Sequence, residues 1–332
     1  LYDFENRKKI FPIDSRMKFS LLTLKGEEAN PESSAQFAYF LHHPDELQDK
    51  NKVVELTVDD FTLLNPNTLT SPIFRSPTDA NITKKLYIQA PILINKTTAE
   101  NPWDISFRQG LFNMASDSHL FKTRDQLEAD GFKLQGNCFT NEDKTYLPLY
   151  EGKMFWHYDH RFGTYKGITN RSSTHLNKMS SKAPTELPLS WYLVDEKELS
   201  KINSTVQKNN ICFRDVTNTT NERTGIFSIS PLPTHSGKAP LIIYRCNNLL
   251  KLCLITILNS FSLDYVIRNK VGGVSLSFFI MEQLPILPPE IFTKSLMNHM
   301  IPKAFELVYT AWDLQSFADD LWAPLLSVSA EA

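Results

Sequence analysis

Residues 147–165 read LPLYEGKMFWHYDHRFGTY. Tyr150, Phe155, Trp156, Tyr158, Phe162 and Tyr165 are interleaved with Lys153, His157, His160 and Arg161. Apolar positions recur at neither strand nor helix spacing, so the run is expected as a site and not as a core element. Flat side chains among cations suit a surface that meets nucleic acid, where cations contact phosphates and rings or guanidinium planes contact bases. A half-buried aromatic loop with a charged edge fits the same pattern, because aromatics are commonly core.

Outward from this run the elements are mixed. Residues 17–24 and 36–41 (QFAYFL) alternate as strands and predict a terminal antiparallel pair. Asp59 opens a short helix to Leu64. A better helix covers residues 80–89, with Ile82, Leu86 and Gln89 at helical spacing and Asp79 as N-cap. Residues 91–95 and 105–114 read as strands, and residues 123–131 as a helix ended by Gly131. Residues 166–188, with Ser172, Ser173, Ser180, Ser181, Pro184 and Pro188, hold too few apolar side chains for a core element and predict an exposed loop. Residues 249–269 predict one long helix, with Leu250, Leu254, Ile257, Leu258, Phe261, Leu263, Tyr265 and Val266 on its apolar face. Residues 274–280 alternate as a strand, Pro285, Pro288 and Pro289 end it, and helices are expected over 291–300 and 303–312. The fold class is α+β.

A chain of 332 residues with 42% hydrophobic and 22% charged content can bury one large or two moderate cores. No apolar run approaches the roughly 18 residues of a membrane span, and the first residues lack a signal-peptide layout. Cys138, Cys212, Cys246 and Cys253 form no CxxC pair, which points to a reduced cytoplasmic setting and not to a disulfide framework or zinc site. Glycosylation-type triplets at Asn81, Asn95, Asn170, Asn203 and Asn218 are read as chance in an Asn- and Thr-rich chain. The formal charge of -2 and pI near 6.5 are not those of a strongly basic DNA-binding domain. The distribution is uneven, however. Lys153, Arg161, Lys166, Arg171, Lys178 and Lys182 face only Glu151 and Asp159, whereas from Pro289 onward six acids face Lys294 and Lys303.

Six blocks in order, 4–24 (FENRKKIFPIDSRMKFSLLTL), 65–76 (NPNTLTSPIFRS), 103–121 (WDISFRQGLFNMASDSHLF), 147–165, 213–224 (FRDVTNTTNERT) and 258–289, resemble the large single-chain bacterial DNA methyltransferases of type IIG restriction-modification systems. They are also similar to related phage-defence methylases that modify the exocyclic amine of adenine. The order of helix, glycine-containing turn, strand and proline-rich exit over 249–289 resembles the specificity subunits of type I restriction enzymes as well. The resemblance implies a methyltransferase rim over 1–60, ending in the last hairpin of the catalytic sheet, a mixed target-recognition domain over 61–285, and a helical end over 286–332.

That class uses a Gly-rich strand-to-helix turn for S-adenosylmethionine and an Asn/Asp-Pro-Pro-aromatic loop for the flipped base. Asn65-Pro66-Asn67 and Asn101-Pro102-Trp103 lack the second proline, and the eleven glycines form no GxGxxG. The expectation is therefore a non-catalytic recognition module without its own cofactor or metal. The S-adenosylmethionine-dependent domain of the parent lies upstream, and double-stranded DNA and that domain are the partners.

The resemblance and the residue types nominate Lys153, His157, His160, Arg161, Lys166 and Arg171 as contacts to DNA. Asn221, Glu222, Arg223 and Thr224 are candidate base readers, since arginine suits guanine, asparagine adenine and glutamate cytosine; a capped turn tied by an ion pair fits them too. Lys270 and Ser275, flanking Gly272-Gly273, suit a phosphate, with a helix C-cap as the plain alternative. Asn113, Asp117, Ser118 and His119 read as turn caps. His157, Asp159 and His160 lack a further ligand at metal spacing. Two rivals remain. Glu151-Gly152-Lys153 has the Glu-x-Lys form of a magnesium-dependent nuclease with Asp143 or Asp130 upstream, though no Pro-Asp precedes it; the acidic helical end could instead be a protein-interaction platform.

Overall fold

A computed structural model of the chain describes residues 1–26, 34–171, 176–201, 208–245 and 247–321. Its elements run β1 (Tyr2–Glu5), β2 (Lys18–Leu21), β3 (Ala35–Leu41), β4 (Val54–Leu56), α1 (Val58–Leu64), α2 (Pro77–Gln89), β5 (Ile105–Arg108), β6 (Phe121–Thr123) and α3 (Arg124–Ala129). Then come β7 (Lys133–Gln135), β8 (Cys138–Thr140), β9 (Thr145–Pro148), β10 (Gly163–Thr164), β11 (Asn177–Lys178), β12 (Tyr192–Asp195), α4 (Lys197–Lys201), β13 (Asn210–Phe213), β14 (Phe227–Ser230) and β15 (Leu241–Tyr244). The last are α5 (Asn248–Leu258), α6 (Phe261–Lys270), α7 (Phe278–Glu282) and α8 (Lys294–Val308). Helices and largely antiparallel sheets follow one another without a repeating βαβ order, so the class is α+β. Among the described residues no single helix is long and apolar enough to cross a membrane.

The chain gathers into two compact units, one of Leu1–Pro102, Tyr265–Val274 and Phe278–Pro288, the other of Trp103–Asp264, Ser275–Ser277 and Pro289–Ala332. Residues 1–60 belong wholly to the first unit, which also takes residues 61–102, while residues 289–321 belong to the second.

In the first unit the sheet order is β2-β1-β3-β4. The expected hairpin of residues 17–24 with 36–41 does not form: β2 and β3 flank β1, antiparallel and parallel respectively. The cause is Phe4, fully buried in β1, whose ring stacks on Phe19 at 5.2 Å and packs with Ala38 and Leu41. A four-residue strand is too short to reveal itself by periodicity. The register slips between Ala38 and Leu41, where Phe40 takes a left-handed φ of 59° and makes a bulge. α1 begins at a Thr57–Asp60 capping box. α2 starts earlier than expected, because Ser76 is its N-cap and Pro77 sits where its missing N–H costs nothing. Asp79 is thus third in the helix and accepts the Ser76 hydroxyl at 2.9 Å. Residues 91–95 form only isolated bridges, Ile92 to Pro285 and Asn95 to Glu100.

The second unit is built on an antiparallel sheet of order β14-β13-β15-β5. NICF, FSIS and LIIY of β13, β14 and β15 are buried along their whole length, as in a sheet covered on both faces. Cys212, Leu241 and Ile243 pack with Phe155, Ile226 and Ala239 on one face, while α5 packs on β14 and α8 on α5. A five-stranded antiparallel sheet, β6-β12-β9-β8-β7, encloses Leu127, Phe139, Tyr146 and Leu193. α3 forms where a helix is expected, capped by Thr123, with Gly131 at φ 85° just beyond it.

Three expected elements differ. The helix over 249–269 is two, α5 and α6, because the Asn259 carboxamide turns to β14: its Nδ2 donates to the Phe227 carbonyl (3.1 Å) and its Oδ1 accepts from the Phe227 N–H (3.3 Å). The Ser260 hydroxyl then accepts from the Leu263 N–H and starts α6. Residues 274–280 are no strand; Ser275 bridges Val216 and α7 starts at Phe278. The two expected terminal helices are one, α8, which runs through Pro302 because burial of Ile301, Ala304 and Val308 offsets the lost hydrogen bond.

Asn259→Ala leaves the buried Phe227 N–H without its acceptor, while the Phe227 carbonyl keeps the Tyr158 N–H at 3.0 Å. The expected loss is about 1–3 kcal/mol in urea unfolding, the cost of one orphaned buried group; a loss below about 0.5 kcal/mol would refute this role.

Candidate functional site

The run 147–165 is core. Tyr150, Met154, Phe155 and Tyr165 are buried, and so are His160 and Arg161, which corrects the expectation of an exposed platform. The Arg161 guanidinium donates to the carbonyls of Ala183 (2.7 Å), Glu186 (2.8 Å), Lys182 (3.3 Å) and Thr310 (2.5 Å). His160 Nε2 meets the Asp313 carboxylate at 2.9 Å. Both side chains are engaged with internal partners. The aromatics are stacked internally as well: Trp156 lies on Phe162 at 5.1 Å, with Arg214 over Trp156 at 4.7 Å and Lys178 over Phe162 at 5.4 Å.

His157 is half-buried and donates from Nε2 to the Asn259 carbonyl at 2.7 Å, and burial holds its pKa below the ordinary value. The basic stretch is largely neutralised by its own acids. Lys166 pairs with Glu186 at 3.7 Å, Lys182 with Asp159 at 2.7 Å, and Glu151 receives Arg171 at 3.2 Å and Lys153 at 3.6 Å. Residues 176–188 are mostly exposed, as expected; Ser172 and Ser173 lie outside the described residues.

The turn at 217–225 is anchored from below. Both the Thr224 and Gly225 N–H groups donate to Asp264 Oδ1 at 2.8 Å, and the Thr217 hydroxyl donates to the Thr224 carbonyl at 2.6 Å. Thr224 is fully buried and is a strut of the turn, not a base reader. Asn221 and Glu222 are exposed at its tip. Arg223 stacks on Phe261 at 4.0 Å, and Phe261, expected on an apolar helix face, is 82% exposed.

Lys270 and Ser275 are each engaged within their own compact unit. Lys270 is half-buried, donating to the Leu64 carbonyl (2.7 Å) and to Asn65 Oδ1, and desolvation lowers its pKa to about 7. Ser275 donates its hydroxyl to Asp215. Asn113 and Asp117 do cap a turn, Asn113 accepting from Ala115 N–H and Asp117 from Asn113 N–H.

A cavity of about 340 Å³ was not foreseen; Met114, Glu151, Gly152, Lys153, Arg171, Arg214, Val216, Ser236 and Lys238 line it. Its wall is set by main-chain threading. The Tyr150 N–H donates to Thr234 (2.8 Å), Ser236 N–H to Tyr150 (2.9 Å) and Gly237 N–H to Phe112 (2.9 Å). Glycine is required at two of these approaches: a Cβ on Gly110 would stand 1.8 Å from the Ser236 carbonyl oxygen, and one on Gly152 2.7 Å from that of Lys238. Glu151 accepts the Tyr165 hydroxyl at 2.7 Å, and Asp215 holds Lys238 at 2.6 Å. Arg214 spends donors on the Lys153 and Phe155 carbonyls and, among the described residues, meets no carboxylate within ion-pair distance; burial lowers its pKa to about 10. The lining residues come from five separate stretches of sequence, and no local pattern groups them.

Among the described residues no three His, Cys, Asp or Glu side chains converge as a metal site. Asp130 pairs with Lys122 and Asp143 sits in a turn capped by Asn141, whereas Glu151 holds Lys153 and Arg171. The glycines with positive φ among the described residues, Gly131, Gly136 and Gly167, sit at a helix end and in tight turns, and none opens a helix as an S-adenosylmethionine cradle would. Compared with known protein families and with curated proteins, the chain matches none.

Against the cavity wall His235 stacks on Tyr150 at 5.6 Å and bonds Ser230 Oγ at 2.8 Å, and full burial lowers its pKa to about 4. As pH falls below the unfolded value near 6.5 the unfolded chain takes up this proton and the folded one does not. Stability is therefore complete above about pH 6.5 and declines toward pH 4 by up to roughly 3 kcal/mol. Urea midpoints across that window should show the slope, and His235→Gln should flatten it.

Proposed function

We propose that the second unit is a DNA-contacting recognition module of a restriction-modification type adenine methyltransferase, with the turn at 218–224 as its reading element. The observation that carries this is the exposed tip of Asn221, Glu222 and the Arg223–Phe261 stack on a turn fixed by Asp264. Base recognition needs polar side chains at defined positions on a rigid support, and a guanidinium already stacked on an aromatic loses little further entropy when it meets a base edge. Phe261, so exposed, has no folding reason to be aromatic, but it gives a base or deoxyribose an apolar face. Lys166, Lys178 and Lys182 are exposed cations following the core run and would set register on phosphates. Methyl transfer would belong to an S-adenosylmethionine-binding domain elsewhere in the parent protein.

Selection of the chain on a randomised duplex pool at near-physiological salt, with sequencing of the bound fraction, tests this. A short enriched motif is expected, with Arg223→Ala reducing preference at one position by about 1–3 kcal/mol and Lys166→Ala weakening all sequences alike. Absence of any duplex binding, or enrichment indifferent to Arg223→Ala and Phe261→Ala, would overturn the proposal.

A further inference from the structure

We infer that the cavity lined by Lys153, Arg171, Arg214 and Lys238 is a binding site for a small phosphate ester of the mononucleotide class, separate from the reading turn and independent of the DNA proposal. Among the described residues four cations line it against one carboxylate, Glu151, and Asp215 outside the lining pairs with Lys238. That leaves an excess of about two positive charges, the charge a phosphomonoester brings near neutral pH. Glu151 does not compete for this role, because the Tyr165 hydroxyl and Arg171 already occupy its oxygens and it serves to hold the cations in place.

Like charges held around a partly dehydrated space raise one another's energy, and an anion among them relieves it. Both signs of that strain are present: burial lowers the pKa of Lys153, and Arg214 is half-buried and meets no carboxylate among the described residues. The Arg214 guanidinium is also fixed in plane, sandwiched by Trp156 and tied to two carbonyls, so it is oriented before any ligand arrives. A bare phosphate would leave most of a 340 Å³ space empty, whereas the volume is at the small end of ligand pockets. The remaining wall is Met114, Val216 and the methylene stems of the cations, which suits the flat body of a nucleoside. Gly152 keeps the floor open, since any side chain there would strike the Lys238 carbonyl.

Titration calorimetry of the whole chain with each 5′-mononucleotide, with inorganic phosphate and with the matching nucleosides tests the site. Binding of at least one mononucleotide is expected, with phosphate weaker and nucleosides weaker still. Lys238→Glu, at an exposed position, is expected to weaken binding about tenfold or more, with a cooperative melting curve showing that the variant is folded. A parallel titration with 5′-phosphorylated and 5′-hydroxyl oligonucleotides distinguishes a strand end from a free nucleotide as the source; a preference for the phosphorylated end supports the site equally. No binding of any phosphate ester at millimolar concentration, nucleosides binding as well as nucleotides, or affinity unchanged in Lys238→Glu would overturn the inference. Each of these readouts is independent of duplex binding, so this site and the reading turn fail or stand separately.

Discussion

The second unit depends on one buried guanidinium. Arg161 has no access to water, and its charge is tolerated only because four main-chain carbonyls, from residues 182, 183, 186 and 310, accept its hydrogens. Arginine suits this because its planar fork reaches several acceptors at once, which a lysine ammonium cannot do. The bonds tie a turn-rich loop and the end of α8 to the aromatic run. The loop answers in turn, since Lys182 donates to the Arg161 carbonyl and to Asp159. The same closure brings Asp313 to His160, so the acidic chain end is spent partly on internal pairing and is not simply a free face for a partner.

This explains why the most conspicuous stretch of sequence misleads. Aromatic and cationic side chains without strand or helix spacing read equally as a ligand platform or as an irregular core segment, and only the location of the acceptors decides. Those acceptors are backbone carbonyls more than twenty positions away, and no sequence pattern announces a carbonyl. Local chemistry was legible where its partners are local: Gly131 beyond α3 and the helix from Asp59 both depend on residues within one turn. It failed where a distant strand intervened. The apolar periodicity over 249–269 is real, but Asn259 answers Phe227 and breaks the helix there, and Phe261 is left on the surface.

The candidate site divides along the same line. Asn221, Glu222 and Arg223 are contiguous, so their grouping is visible in the sequence, whereas burial of their neighbour Thr224 follows from Asp264, forty residues on. The cation-lined cavity was invisible because it assembles Met114, residues 151–153, Arg171, Arg214 and Lys238 through a three-strand main-chain contact in which Gly110 and Gly152 allow backbones to touch.

The pairing of the cations also constrains how such a module could hold DNA. Affinity for duplex comes mainly from counterions released when free cations neutralise phosphates, and each pre-existing ion pair removes part of that gain. Here Lys166, Arg171 and Lys182 each face an acid, and the chain as a whole is slightly negative. A surface of this kind is poor at sequence-independent binding and loses little when salt rises. Discrimination would then rest on the few oriented groups of the 218–224 turn, and a large share of the total affinity on contacts made by a companion domain. Weak general binding is an advantage for a reader, because competing non-specific sites are far more numerous than targets.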